Sequence, residues 1–178
     1  MTTEEIKIAN ATYRRNGSSV FDKDGNIRSI VARFVEKNVD KSKKILDYGC
    51  GSEFIQGKHL INLGFDVDGW DIGANKPKDG VEKLEQVYDV IYASNVLNVL
   101  SSTSMLMETL DQIYGCLKDE GVFIANYPAA PRKMVIDSRC MEEIIQSRFG
   151  GGISMVGGTS SAPIWCVVKA AKHQRIAR

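Results

Sequence analysis

Residues 43–54 read Lys43-Lys44-Ile45-Leu46-Asp47-Tyr48-Gly49-Cys50-Gly51-Ser52-Glu53-Phe54. A short apolar run reaches an acidic residue, and two glycines spaced one residue apart follow it. Because glycine lacks a Cβ, Gly49 and Gly51 can adopt positive φ and let a ligand approach the backbone closely. A helix predicted from near Ser52, over residues 53–63, directs its free N–H groups to the same place. The stretch therefore predicts a strand, a tight loop and a helix, with a ligand site at the carboxyl end of the strand.

Two cofactors compete for this loop. A dinucleotide needs Gly-x-Gly-x-x-Gly, and Phe54 stands where the third glycine belongs, so a dehydrogenase is a distant alternative. The segment Asp47-Tyr48-Gly49-Cys50-Gly51 resembles the first motif of class I S-adenosylmethionine-dependent methyltransferases. In that family the loop wraps the methionine part of the cofactor, which implies that these five residues bind it. The Asp47 carboxylate can hold an ammonium group or order the loop. Glu53 departs from the family, many members of which have a third glycine there.

A second acidic position follows the predicted helix. Gly64 is predicted to end that helix, and Phe65-Asp66-Val67-Asp68-Gly69-Trp70-Asp71 then alternates toward an acid. An acidic side chain at the end of a second strand can accept hydrogen bonds from both ribose hydroxyls. Asp71 is therefore predicted to bind the cofactor ribose, with Ile72 beside it in the site. The alternative is that Asp71 caps the following turn.

A third segment reads Tyr88-Asp89-Val90-Ile91-Tyr92-Ala93-Ser94-Asn95-Val96-Leu97-Asn98-Val99-Leu100. It predicts a buried strand that runs into a loop, and it resembles the fourth-strand motif of the same family. In that family the residues after this strand border the cofactor and the incoming substrate, so the resemblance implies a place in the cofactor site for Ser94, Asn95 and Val96. Asn95 and Tyr127 are candidates for orienting the substrate. No catalytic base is predicted.

The remaining elements complete an α/β pattern. The sequence predicts a helix capped by Asp24 and ending near Asn38, a helix over 104–117, a buried strand over 122–126 after a charged turn, a helix ending by Gly150, and a hairpin of 153–156 with 163–168. With the resemblance, they indicate a Rossmann-like class I methyltransferase sandwich with a mostly parallel sheet and an antiparallel last strand. Residues 72–87 are few for the helix and third strand usual in the family, so that region is predicted to be trimmed.

One domain is predicted over residues 1–178, with residues 1–22 as an N-terminal arm or lid. In a lid, Arg14 or Arg15 can reach the cofactor carboxylate or an anionic substrate, and the alternative is a solvated arm. Arg132 and Lys133 follow the strand predicted over 122–126. They can likewise meet an anionic substrate, or they can be exposed charges without a function.

The composition is that of an ordinary globular protein, with 43% hydrophobic and 25% charged residues. A formal net charge of +1 gives no electrostatic argument for a nucleic-acid or membrane partner. No apolar run approaches the ~20 residues of a membrane span, and the N-terminus lacks a signal-peptide pattern, so a cytoplasmic location is expected. The four cysteines form no Cys-x-x-Cys pair, so no metal site is expected. They are predicted to be reduced and mostly buried, with Cys50 as a small loop filler or an exposed nucleophile.

The resemblance implies methyl transfer from S-adenosylmethionine to an unidentified acceptor. Ser94-Asn95-Val96-Leu97 replaces the Asp/Asn-Pro-Pro-aromatic motif of amino-directed DNA methyltransferases, and no Pro-Cys pair is present, so a small molecule is favoured. A nucleic acid stays open, because residues 47–51, 64–71 and 96–99 also resemble, more faintly, methyltransferases associated with DNA phosphorothioation systems. A non-catalytic S-adenosylmethionine-binding subunit is the third alternative, favoured by Glu53 and by the trimmed region.

Overall fold

The computed structural model describes residues 1–7, 22–23, 27–72, 82–130 and 132–171. The predictions for Arg14 and Arg15 and most of the region predicted to be trimmed, residues 73–81, lie outside these ranges. The described chain contains the strands β1 (Lys44–Tyr48), β2 (Asp66–Trp70), β3 (Tyr88–Ala93), β4 (Leu117–Asn126), β5 (Gly150–Thr159) and β6 (Ala162–Lys169). Its helices are α1 (Ile30–Asn38), α2 (Ile55–Asn62), α3 (Thr103–Cys116) and α4 (Ser138–Phe149).

The six strands form one sheet in the order β2-β1-β3-β4-β6-β5. The pairs from β2 through β4 are parallel, and β6 runs antiparallel to both β4 and β5. Between β2 and β3 the described residues contain a single 3-10 turn, Glu82–Glu85, and no strand. The predicted mostly parallel sheet with an antiparallel last strand is confirmed. The carboxyl ends of β1, β2, β3 and β4 consequently meet at one edge.

Alternation along the strands divides the core between the two faces of the sheet. Leu46 and Tyr48 of β1 belong to a cluster with α3 and α4, whereas Ile45 packs on the opposite face with α1 and α2. Asp47 shares the parity of Ile45 and is buried with it. Tyr48 and Asp47 therefore point to opposite sides of the sheet, although both were predicted to bind one cofactor.

Side-chain caps set where three of the helices begin. The Ser29 hydroxyl accepts from the Ala32 N–H at 3.1 Å, the Ser102 hydroxyl from the Met105 N–H at 3.1 Å, and an Asp137 oxygen from the Cys140 N–H at 2.8 Å. Because Ser29 caps α1, the predicted start at Asp24 is wrong. The apolar spacing misled the prediction because Ile27, which fits it, is buried in an isolated β-bridge before the helix.

The start of β4 also differs from its prediction. The strand begins at Leu117, immediately after α3, and includes the charged residues that were predicted to form a turn. Glu120 has φ 62°, and the pairing with β3 shifts register between Tyr88 and Val90. Because the first part of this strand is irregular and its charged residues are exposed, its sequence resembles that of a turn.

Candidate functional site

The glycine loop after β1 is held against the end of β2. The N–H groups of Gly49 and Cys50 both donate to the Trp70 carbonyl, at 2.7 and 3.1 Å. Gly49 has φ 80° and Gly51 has φ 70°, values that suit glycine. A Cβ on Gly49 would lie 2.5 Å from Cγ2 of Val96. The loop, the end of β2 and the segment after β3 therefore meet, as their positions at the carboxyl edge require.

Asp71 holds the other end of the same loop. Its Oδ2 accepts a hydrogen bond from the Gly51 N–H at 2.8 Å. The alternative role was a cap of the following turn, which lies largely in residues 73–81, outside the described ranges; the observed bond ties Asp71 to the preceding glycine loop instead. A carboxylate has about four lone-pair sites, and the Gly51 N–H uses one of them. The ribose contact remains a prediction.

Asp47 lies beneath the loop and is 1% exposed. Its register partner on β3 is Tyr92. Asp47 Oδ2 and the Tyr92 hydroxyl are buried, and neither makes a hydrogen bond of regular geometry, although the two groups lie close enough to interact. Burial is the main cause of an Asp47 pKa raised to about 7; the Tyr92 hydroxyl opposes that rise, Asp71 adds to it, and the Gly57 N–H opposes it.

This environment predicts a pH-dependent stability. A carboxyl whose folded pKa is raised from 3.8 to about 7 contributes stability that is complete below pH ~3.8 and is lost as the pH rises through ~7. Asp47→Asn removes the titration, with an effect of at most about 1.4 kcal/mol per pH unit. In denaturant unfolding between pH 4 and 8, the free energy of unfolding of the variant, relative to that of the wild type, should rise with pH up to about pH 7 and then stay constant. A difference that does not change with pH would contradict this assignment.

The side chains of three other predicted cofactor residues pack against the rest of the protein. Tyr48 is buried, its hydroxyl donates to Gln112 at 2.6 Å, and its ring lies 4.6 Å from that of Trp70. Any cofactor contact of Tyr48 must therefore use its backbone. Ile72 packs partly buried against the same core cluster. Cys50 is half-buried, and burial, then Asp47 and Asp71, raise the pKa of its thiol, which favours the loop-filler role over a nucleophile.

The other cysteines correct a prediction. Cys116 is buried and Cys166 is half-buried, but Cys140 is exposed in the first turn of α4. Only one of the four cysteines is fully buried, so "mostly buried" is wrong, and the reduced state stays a prediction.

Phe54 is a site residue whose role sequence reasoning missed. It adopts φ 52°, and α2 begins after it, at Ile55, so the predicted start near Ser52 is wrong. The Phe54 ring fills space left by two glycines: a Cβ would lie 1.8 Å from the ring at Gly57 and 2.6 Å from it at Gly69. The only sequence signal was the presence of glycine inside a helix and a strand, where it costs stability without a packing reason. Glu53, beside Phe54, is exposed.

This packing predicts opposite effects for two helical glycines. Gly57→Ala should destabilise the protein by about 1–3 kcal/mol, because the new methyl overpacks against the Phe54 ring. Gly115→Ala in α3 is the matched control, since a Cβ there meets nothing within 4 Å. It should stabilise by about 0.5–1 kcal/mol through helix propensity. Thermal and urea unfolding measure both, and equal effects of the two substitutions would refute the role of Phe54.

The segment after β3 is fixed by polar contacts to two other elements. The Ser94 hydroxyl lies 2.9 Å from the hydroxyl of Ser29, the α1 cap. The Asn95 N–H donates to Asn126 Oδ1 at 2.7 Å, and Asn126 Nδ2 donates back to Asn95 Oδ1 at 2.8 Å. Asn95 has φ 58° and is exposed, whereas Asn126 is 3% exposed. Asn126, at the end of β4, was not predicted to belong to the site.

Tyr127 and Arg132 have structural roles. Tyr127 is fully buried and its hydroxyl donates to the Ile136 carbonyl at 2.9 Å, so it cannot orient a substrate. The Arg132 guanidinium stacks 3.9 Å from the Tyr127 ring and donates to the Pro128, Tyr127 and Ser161 carbonyls and to the Ser138 hydroxyl. Its Nε and Nη2 donors are thus used within the protein. Lys133 is exposed.

The N-terminal residues lie near the start of α3. Residues 3–7 are helical, the Ser102 hydroxyl donates to Glu5, and Met1 packs against the core. Residues 8–21 of the predicted arm or lid are outside the described ranges. Within those ranges, no three His, Cys, Asp or Glu side chains are grouped as metal ligands, and the helices are too short or too polar to cross a membrane.

The amino-acid sequence matches the model of a known family. The family model described as "Methyltransferase domain" matches residues 21–156, which is more than half of the chain. The chain belongs to the class I S-adenosylmethionine-dependent methyltransferases. The predictions that this methyltransferase is an enzyme and uses S-adenosylmethionine are thereby confirmed. No curated protein matches the sequence significantly.

Solved structures show the same fold at low identity. A TehB-like S-adenosylmethionine-dependent methyltransferase from Corynebacterium glutamicum is 19% identical with TM-score 0.61, over 91% of this chain and 96% of that chain. The 1,6-didemethyltoxoflavin-N1-methyltransferase of Burkholderia thailandensis, with S-adenosylhomocysteine bound, is 11% identical with TM-score 0.58, over 79% and 77%. The 16S rRNA N2 G1207 methyltransferase of T. Thermophilus is 13% identical with TM-score 0.53, over 83% of this chain and 44% of that chain.

Proposed function

We propose that this methyltransferase acts on a small molecule. The observation that carries the proposal is the uncharged rim where β3 and β4 end, formed by Ser94, Asn95, Val96 and Asn126. Of the two basic residues predicted to meet an anion in that region, Arg132 donates from Nε and Nη2 to protein carbonyls, and Lys133 is exposed. A phosphate backbone is normally met by several lysines or arginines, and these rim residues offer none.

The residues at the glycine loop fit S-adenosylmethionine on two observations. Gly49 and Gly51 carry no side chain and adopt positive φ on either side of Cys50, and a buried Asp47 oxygen lacks a regular hydrogen bond. When bound, the cofactor supplies a methyl group activated on a sulfonium. In the proposal, the loop backbone binds the methionine part and Asp71 accepts from the ribose. Because Asp47 is 1% exposed, it orders the loop from below.

The rim residues Ser94, Asn95 and Val96 separate the cofactor from the acceptor in this proposal. Val96 contacts the glycine loop, Ser94 contacts α1, and the exposed Asn95 between them faces the solvent side of the edge. Methyl transfer depends mainly on positioning and on excluding water. Small-molecule and RNA methyltransferases share this fold, so the acceptor class rests on the rim chemistry.

Calorimetric titration with S-adenosylmethionine and S-adenosylhomocysteine tests the cofactor part. We expect micromolar binding of both and none of NAD. Formation of S-adenosylhomocysteine is then measured with panels of small molecules, single-stranded and duplex nucleic acids. Turnover with nucleic acid alone would overturn the small-molecule proposal, and a failure to bind either cofactor form would overturn the cofactor assignment.

A further inference from the structure

The Asn95–Asn126 pair has a hydrogen-bond polarity that the backbone determines. An amide side chain can be turned by 180°, so its oxygen and nitrogen need an independent assignment. Here the Asn95 backbone N–H, which can only donate, lies 2.7 Å from one terminal atom of Asn126. That atom must be the oxygen, and the other terminal atom of Asn126 is therefore the NH₂ group.

The same logic fixes the side chain of Asn95. The Asn126 NH₂ group donates across 2.8 Å, so the Asn95 atom that receives it must be the carbonyl oxygen. The other terminal group of the Asn95 side chain is therefore the NH₂ group. It makes no hydrogen bond to the described residues, and Asn95 is exposed at the rim. Asn126 is 3% exposed and sits at the end of β4, which makes it a rigid reference for the pair.

We infer that Asn126 is a positioning residue that makes Asn95 a hydrogen-bond donor to the methyl acceptor. The acceptor molecule accordingly carries an oxygen or an unprotonated nitrogen that accepts this bond beside the atom to be methylated. The inference rests on the proposed function, because it takes the rim as the acceptor site. The inference therefore favours acceptors with a carbonyl, carboxylate or imine-type group next to Asn95 over acceptors whose group at that position can only donate a hydrogen bond.

Asn126→Asp reverses the polarity with little change of shape. The introduced carboxylate still accepts from the Asn95 N–H, but it can no longer donate to the Asn95 oxygen. The Asn95 side chain should turn over, donate its NH₂ group to that carboxylate and present its oxygen outward. Asn38→Asp is the matched control, because the Asn38 side chain bonds the Phe34 carbonyl on the exposed end of α1, away from this pair.

The first test follows the side-chain amide protons by NMR and needs neither cofactor nor acceptor. In the wild type, the Asn95 NH₂ protons should exchange with water at least about tenfold faster than those of Asn126, as expected when a hydrogen bond worth about 1.4 kcal/mol is absent. In N126D the Asn95 protons should become protected by a similar factor, and in N38D they should not change. Protected Asn95 protons in the wild type would overturn the inference.

The second test uses acetate, which only accepts, and methylammonium, which only donates, as probes of the S-adenosylhomocysteine complex. Acetate should shift the Asn95 side-chain resonance of the wild type and methylammonium should not, and N126D should reverse this order. A purely structural role of Asn126 would abolish the acetate shift without producing a methylammonium shift, and that result, or an unchanged order in N126D, would overturn the inference. Failure of the wild type to bind S-adenosylhomocysteine would instead count against the proposed function, since the exchange test is independent of it.

Discussion

Asp71→Ala is expected to lower the affinity for S-adenosylmethionine by about 10-fold to 100-fold. The carboxylate is proposed to accept hydrogen bonds from the ribose, and charge-assisted bonds contribute about 1.5–3 kcal/mol. It also accepts from the Gly51 N–H at 2.8 Å, so the substitution releases one end of the glycine loop as well. Both consequences weaken binding, and calorimetric titration of the two proteins measures their sum.

Two further variants separate these consequences. Asp71→Asn keeps one acceptor oxygen for the Gly51 N–H but loses the charge, so its affinity should lie between those of the wild type and the alanine variant. Asp66→Ala removes an exposed carboxylate at the other end of the same strand and should leave binding unchanged. If Asp71→Ala bound the cofactor as tightly as the wild type, the ribose assignment would be wrong.

Lys169→Met is expected to lower the free energy of unfolding by about 2–4 kcal/mol. Lys169 is 5% exposed, and its Nζ donates to the carbonyls of Tyr114, at 2.9 Å, and Leu117, where α3 ends. The ammonium also lies 4.2 Å from the centre of the Tyr114 ring. Without it, two carbonyls at a helix C-terminus lose their charged donor, and each unsatisfied group costs about 1–3 kcal/mol. Methionine, with a similar length, compensates part of this through packing.

Lys118→Met is the control for a lysine at the same end of the sheet. Lys118 is exposed and pairs with Asp89 at 2.8 Å, and an exposed ion pair contributes at most about 1 kcal/mol. Urea unfolding of both variants and the wild type should therefore give a clear separation. A loss at Lys169 no larger than that at Lys118 would show that the α3 carbonyls are satisfied in another way.

The fold was predictable because its signals are local. Two glycines after an apolar strand, an acid at the end of the next strand, and alternating patterns of period 2 and 3.6 each depend on neighbouring residues alone. The parallel order followed from the family resemblance, and Gly49, Gly51 and Asp71 do meet at one edge. The predicted boundaries failed at α1, α2 and β4, where a cap, a left-handed residue or an irregular strand decided the outcome.

The sequence by itself determined the order of strands and helices, the glycine loop and the two acidic strand ends. Only the tertiary structure decided what the side chains of this region touch: Tyr48 faces the core, Asp47 is buried, and the Phe54 ring packs against Gly57 and Gly69. The same holds for the Asn95–Asn126 pair, whose members are 31 positions apart. The position of a residue along its strand determines which face of the sheet its side chain points to. Its contact partner, however, lies on another strand, and parallel strands are joined by long crossover connections, so the partner is known only once the whole chain has folded.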